Sequence, residues 1–172
     1  QGAFAQYMTI PKRCLIEAPK DMDPNHIALT EPAATVIHAI NIAVKESYLP
    51  IQECQVLVIG AGAIGLLTAL LLKSYGVKMQ VLETNLARHP CVKEHVGIDA
   101  INPTTQTLSS NNFDIVIDCV GSEKTSSLSF ETIKTGGVII NVGLQSWTSS
   151  INIRKLTLEE IKLIGCYTYS MV

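Results

Sequence analysis

Gly60-Ala61-Gly62-Ala63-Ile64-Gly65 sets three glycines in the G-x-G-x-x-G spacing. The loop follows the apolar run Val56-Leu57-Val58-Ile59 and precedes residues 66–72, which hold neither Pro nor Gly and read as a helix. This spacing suits a pyrophosphate: Gly60 permits a tight turn, Gly62 lets the backbone approach the phosphates, and Gly65 lets the helix pack closely on the strand. The free N–H groups and positive dipole end of that helix, at Ala63 and Ile64, would then face the phosphates. A second strand-like run, residues 77–82, ends in Glu83, where the fingerprint needs an acid for the adenosine ribose hydroxyls. A carboxylate bonds a 2′-hydroxyl and repels a 2′-phosphate, so Glu83 favours NAD over NADP. Arg88 could stack on adenine, reach a phosphate, or stand as an exposed arginine at a helix start.

Composition frames what can position these residues. A chain of 172 residues, 47% hydrophobic and only 16% charged, can enclose one full domain, or one domain with pieces of another, and is not globally disordered. A formal charge of −2, with no Lys/Arg run, leaves no electrostatic footprint for nucleic acid. Apolar stretches such as 56–59 and 69–72 are too short to span a bilayer. The opening Gln1-Gly2-Ala3-Phe4 has neither an initiator Met nor a signal pattern, and reads as a cut inside a longer protein. Cys14, Cys54, Cys91, Cys119 and Cys166 are scattered without a C-x-x-C pair, unlike a disulfide framework or a closed zinc site, so the cytoplasm is the expected compartment.

Past the first strand–helix–strand unit, residues 90–96 predict a short helix ended by Gly97, 99–102 a third strand, and 104–112 a polar loop or helix. Residues 115–120 predict a buried strand stopped by Gly121, and 125–134 a helix broken by Gly136-Gly137. Residues 138–142 predict the next strand, ending at Gly143, and 161–167 a sixth. Near-continuous apolar strands alternating with helices predict an α/β fold: a doubly wound parallel sheet of six strands, with helices on both faces. Upstream, Phe4, Tyr7 and Ile10 mark a strand-like opening, Pro11, Pro19 and Pro24 punctuate loops, and Pro32 interrupts a helical stretch over 24–28. Val36, Ile37, Ile40 and Val44 give residues 33–46 the spacing of an amphipathic helix.

Several short segments share an order and spacing that, taken together, resemble the zinc-dependent medium-chain dehydrogenases, the alcohol, sorbitol and threonine dehydrogenase superfamily. These are Gly2-Ala3-Phe4-Ala5-Gln6-Tyr7, Glu31-Pro32, the glycine loop, Asp118-Cys119-Val120-Gly121, Gly136-Gly137 with Asn141-Val142-Gly143-Leu144, and Glu160-Ile161-Lys162-Leu163-Ile164-Gly165. The resemblance runs along essentially the whole chain. It implies a Rossmann coenzyme domain over 26–172, with residues 1–25 a remnant of a GroES-like catalytic domain. It also implies hydride transfer between a secondary alcohol or polyol and NAD, with zinc in the full-length protein.

On this resemblance the coenzyme contacts fall at Thr35, Gly60, Gly62, Ala63, Ile64, Gly65, Glu83, Arg88, Cys119, Val120, Gly121, Val142, Gly143 and Leu144. Glu31 takes the position of a zinc ligand, or of a carboxylate bonded to zinc-bound water; by residue type alone it is a first-turn helix acid. Thr35 could touch the nicotinamide or bond a helical carbonyl. The remaining zinc ligands and the substrate pocket would lie outside this chain, which therefore supplies no catalytic residue of its own. The sixth strand is expected to pair with its twin in a homodimer. None of His26, His38, His89 and His95 is assigned to chemistry, because no pair has metal-ligand spacing. Two other readings stay open: a zinc-free NAD(P)H-dependent reductase of the same superfamily, and a non-catalytic NAD-sensing regulatory module.

Overall fold

In the computed structural model, which describes residues 4–169, the elements run α1 (Pro24–Ile27), α2 (Thr30–Glu46), β1 (Gln55–Ile59), α3 (Ala63–Ser74), β2 (Lys78–Leu82), α4 (His89–Val96), β3 (Phe113–Asp118), α5 (Glu123–Thr132), β4 (Ile133–Asn141), α6 (Ile153–Leu158) and β5 (Lys162–Gly165). Contacts divide the chain into Gln1–Thr30 and Glu31–Val172. In the first unit the described residues hold one 3-10 turn, Lys12–Cys14, and α1, which Asp23 caps by accepting from Asn25 N–H at 2.8 Å. The strand expected near Phe4, Tyr7 and Ile10 does not form, and no GroES-like sheet is shown among residues 4–30. Three prolines in this short stretch each remove a ladder donor.

The second unit is built on one fully parallel sheet, in the order β2-β1-β3-β4-β5. Strand periodicity explains why its sequence reads as continuous apolar runs. Val56 and Val58 of β1 join Ile115, Ile117, Val138 and Ile140 on one face, under Val36 and Ile40 of α2, Ala69 and Leu72 of α3, and Val92 of α4. Leu57 and Ile59 join Leu82, Val116 and Ile139 on the other, against Phe130 of α5. Both faces are covered, so the central stretches Val56–Ile59, Ile115–Ile117 and Val138–Ile140 are apolar on both sides. Each such side chain, once buried, contributes about 1.5–3 kcal/mol.

Among the described residues five strands form, not six. The expected third strand over 99–102 shrinks to a single bridge from Ile101 to Leu82, with Ile101 N–H bonded to Val81 O and Glu83 N–H to Ile101 O. Immediately beyond, Pro103 has no donor to extend a ladder, and Asn102 Oδ1 accepts from Thr104 N–H at 3.0 Å, turning the chain away. Gly136-Gly137 does not break a helix either. Helix α5 stops at Thr132, and the two glycines lie inside β4, where the β3 pairing slips between Phe113 and Ile115. Pro32 does not interrupt α2; it sits in the first turn, where no intrahelical N–H is needed. Helix α6, capped by Asn152 Oδ1 on Lys155 N–H, has no counterpart in the sequence expectation. Among the described residues no helix is long and apolar enough to cross a membrane.

The cysteines follow this burial. Cys54 and Cys166 are buried, Cys119 half-buried, Cys14 and Cys91 exposed. Burial pushes the Cys119 thiol up to about 12, more than its Thr68 contact brings it down, and burial raises Cys54 and Cys166 as well. At pH 8 Cys119 should thus carry on the order of a thousandfold less thiolate than an exposed cysteine. A disulfide reagent added to the folded chain, with peptide mapping, should label Cys14 and Cys91 in minutes and the other three only after denaturation. Rapid labelling of Cys119 without denaturant would contradict its protected position.

Candidate functional site

The site begins where β1 runs out. Gly60 turns the chain with φ +91°, and its N–H donates to Leu82 O at 2.7 Å. Helix α3 then returns so closely that a Cβ on Gly65 would lie 1.7 Å from Gly60 O, which no side chain could occupy. Gly62 differs. Its φ is an ordinary −72°, and a Cβ there would meet nothing nearer than Arg88 Nη1 at 3.9 Å. The space in front of Gly62 is open in the protein itself. Gly62 offers α3 no side-chain cap, and the first internal bond runs from Leu66 N–H to Gly62 O at 2.9 Å. The N–H groups of Ala63 and Ile64 therefore belong to the open, positive end of the helix.

Glu83 leaves β2 beside this loop and is only 5% exposed. Its Oε2 accepts from Ala61 N–H at 2.8 Å and from Arg88 Nη1 at 3.2 Å, while Oε1 accepts from Asn85 N–H at 2.8 Å. Burial alone would raise this carboxyl, but the Asn85 and Ala61 N–H groups and the Arg88 guanidinium outweigh it and hold Glu83 below the usual carboxylate range. His89 Nε2 donates to Glu83 O at 2.8 Å and fixes the strand end.

Between the β1–β2 edge and α5 lies a cleft of about 310 Å³. It is lined by Gly60, Glu83 and Thr84 from the β1 and β2 ends, and by Val120, Ser122, Lys124 and Leu128 from the turn after β3 and α5. The opposite rim is made of two interlocked loops. Asp118 Oδ1 accepts from the Val120 and Gly121 N–H groups, both at 2.9 Å, and Asp118 O accepts from those of Val142 and Gly143. Val120 O accepts from Gln145 N–H, Gly121 O from Ser146 N–H, and Asn141 Nδ2 donates to Gly143 O at 3.0 Å. A Cβ on Gly121 would sit 1.9 Å from Gly143 O, so the loops touch backbone to backbone.

The structure thus brings Gly60, Gly62, Ala63, Ile64, Gly65, Glu83 and Arg88 around one loop, and Cys119, Val120, Gly121, Val142, Gly143 and Leu144 onto the adjoining pair of loops. Glu31, exposed, and Thr35, half-buried, stand on α2 and do not line the cleft. Among the described residues no three His, Cys, Asp or Glu side chains gather to hold a metal, so these residues do not by themselves fit a zinc ion. Sequence reasoning did not single out Thr84, Ser122, Lys124 or Gln145. Ser122 and Thr125 carry a legible signal, a reciprocal capping box at the start of α5. Asp118 also went unassigned, although a lone acid closing an apolar strand before a glycine turn marks a loop-organising side chain.

Residues 63–171 match the family model described as zinc-binding dehydrogenase. Sorbitol dehydrogenase 1 of Saccharomyces cerevisiae is 25% identical over 187 residues, covering 98% of this chain and 50% of its own length. L-galactonate-5-dehydrogenase of Escherichia coli is 31% identical over 156 residues, covering 83% of this chain and 43% of its own. The chain spans about half the length of the curated relatives it matches. Acetophenone reductase from Geotrichum candidum, solved in complex with NAD, superposes with a TM-score of 0.79 at 21% identity, covering 90% of this chain and 44% of that one, and shares its fold. With the glycine loop, the parallel sheet and the matched segment in agreement, the chain belongs to the zinc-binding dehydrogenases of the medium-chain superfamily.

Proposed function

We propose that this chain is the NAD-binding part of an oxidoreductase acting on a secondary alcohol or polyol. One observation carries the reading: Gly62 opens onto free space at the uncapped start of α3, and Glu83, ionised and nearly buried, stands beside it. The N–H groups at the start of α3 bind the pyrophosphate, and Glu83 accepts from the adenosine ribose hydroxyls. Val120 and Leu128 give the cleft an apolar wall for adenine. Bound NAD would supply the hydride acceptor; this chain's residues bind it, orient it and keep water from its adenosine end. Residues 1–25 are read as belonging with the catalytic domain, and 26–172 as the coenzyme domain. Zinc and the alcohol would need ligands beyond the described residues.

Gly62→Val should leave the chain folded, since the Cβ has room, yet abolish NAD binding by filling the space the phosphates need. Calorimetry paired with circular dichroism tests this. An unchanged affinity in a folded variant would mean that the phosphates sit elsewhere.

At neutral pH the chain should bind NAD more tightly than NADP. Glu83's folded pKa is depressed, so the carboxylate is present above its unfolded pKa and is lost only as pH falls through the lower folded value. Both the NAD preference and the stability that Glu83 contributes should therefore persist at pH 5 and fade below the ordinary value of 4.5. Titrations of both coenzymes across pH 4–8 would show this, and equal affinities at pH 7 would remove Glu83 from the role.

Strand β5 is a sheet edge, and Leu144, Trp147, Ile153 and Tyr167, nearby in sequence, are exposed. An unprotected edge with apolar neighbours supports pairing with a second copy. Sedimentation should detect a dimer that Ile164→Lys dissociates. A monomer at every concentration would refute this pairing.

A further inference from the structure

We propose that Asn102 is a positioning residue for the coenzyme's adenine: its side chain holds Pro103 and Thr104 where the base comes to lie against them. The inference rests on the coenzyme reading and deepens it, by assigning the shape of the cleft's irregular wall to one buried amide. Pro103 and Thr104 line the cleft of about 310 Å³ together with Val120 and Leu128. They belong to no helix or strand, because the chain leaves the sheet after the single bridge at Ile101. Packed protein does not hold them either. A second hollow of about 370 Å³, which Thr105, Gln106, Thr107 and Glu131 help to line, shares Pro103, Thr104 and Leu128 with the cleft. A wall that borders two hollows has little packing to fix it, so its hydrogen bonds set its position.

Asn102 supplies those bonds. It is only 9% exposed, and its Oδ1 accepts from Thr104 N–H at 3.0 Å and from Thr104 Oγ1 at 2.7 Å. Its own N–H donates to Gln106 Oε1 at 3.2 Å, and its carbonyl accepts from the N–H groups of Thr105 at 3.1 Å and Gln106 at 3.0 Å. Proline restricts the residue before it to extended backbone, from which an Asn side chain reaches the N–H two positions on. The residue before Asn102 is tied as firmly. Ile101 N–H donates to Val81 O at 2.8 Å, and Ile101 O accepts from Glu83 N–H at 3.0 Å. The knot is thereby joined to the end of β2, and Pro103, with φ fixed by its ring, carries little freedom of its own. A base entering the cleft meets a wall already in place and loses little affinity to ordering it.

Asn102→Leu keeps the bulk and deletes the acceptor, whereas Asn102→Asp keeps the acceptor. The test is calorimetry with NAD, iodide quenching of the bound etheno-adenine analogue of NAD, and circular dichroism to establish that each chain is folded. The unaltered chain should shield the fluorescent base from iodide. Asn102→Leu should lower NAD affinity roughly tenfold, the worth of the two bonds to Oδ1. It should also let iodide quench the bound base as readily as the free analogue, a change that a loss of stability alone would not produce. Asn102→Asp should match the unaltered chain in both measurements. An unchanged affinity or a still-shielded base in a folded Asn102→Leu chain overturns the proposal, and so does an Asn102→Asp chain that behaves like Asn102→Leu. If Asn102→Leu does not fold, Thr104→Val decides: it breaks the Oγ1 bond from the other end at nearly constant volume, and a base that stays fully shielded overturns the proposal. Failure of the unaltered chain to bind either dinucleotide overturns the coenzyme reading and this inference with it. Binding of both with the base open to iodide in the unaltered chain overturns this inference only.

Discussion

The approach of α3 to the end of β1 is the constraint from which the site follows. With 1.7 Å between Gly60 O and any Cβ on Gly65, the helix can lie where it does only if residue 65 has no side chain. That contact aims the open end of α3 across the carboxyl edge of the sheet and leaves Gly62 facing empty space. It also fixes the loop against β2, since Gly60 N–H is bound to Leu82 O and Ala61 N–H to Glu83. Moving α3 outward to admit a side chain would pull on the loop whose Gly60 and Ala61 N–H groups hold β2 and the acid in place. Backbone packing and coenzyme geometry are one arrangement.

Glu83 joins the loop to the second strand in the same way. A carboxylate this buried is costly unless its charge is met by donors, and here two backbone N–H groups and an arginine meet it. The result is an ionised acid inside a mostly apolar edge, available to hydroxyl donors because its lone pairs are not exhausted. The same bonds make it structural. Substituting Glu83 therefore disturbs the loop as well as the ligand, which is why nucleotide selectivity, rather than affinity alone, separates the two roles.

The β1–loop–α3–β2 unit was legible in the sequence because every signal in it is local: a β-branched run, glycines at fixed spacing, a helix without breakers and an acid at the strand end. Where sequence and structure part, a local signal meets a partner elsewhere in the chain that decides it. Residues 99–102 have strand-like chemistry, yet Pro103 and the Asn102 turn leave only one bridge. Gly136-Gly137 looks like a helix stop when read along the chain, but the α5-to-β4 transition comes earlier, at Ile133, and the glycines serve a slipped pairing with β3. Lys124 was invisible as a site residue because it comes to the same cleft as Glu83 from a separate helix, 41 positions on, which no local spacing encodes.

A common device emerges at the carboxyl edge. Three strands end in a polar residue whose side chain turns back onto loop backbone. Glu83 after β2 takes the Ala61 and Asn85 N–H groups, Asp118 of β3 takes those of Val120 and Gly121, and Asn141 of β4 donates to Gly143 O. The residues just before these ends, Val81-Leu82, Val116-Ile117 and Ile139-Ile140, are buried and apolar, so the terminal polar side chains satisfy backbone groups where the ladder stops. Asp118 shows how strong that demand is. Among the described residues its Oδ2 stays buried with no partner, a penalty accepted because Oδ1 closes a turn that two loops share. Loops tied down before a ligand arrives lose little freedom on binding it. The bonds that let these strands end also hold the edge of the sheet in a shape ready for a dinucleotide.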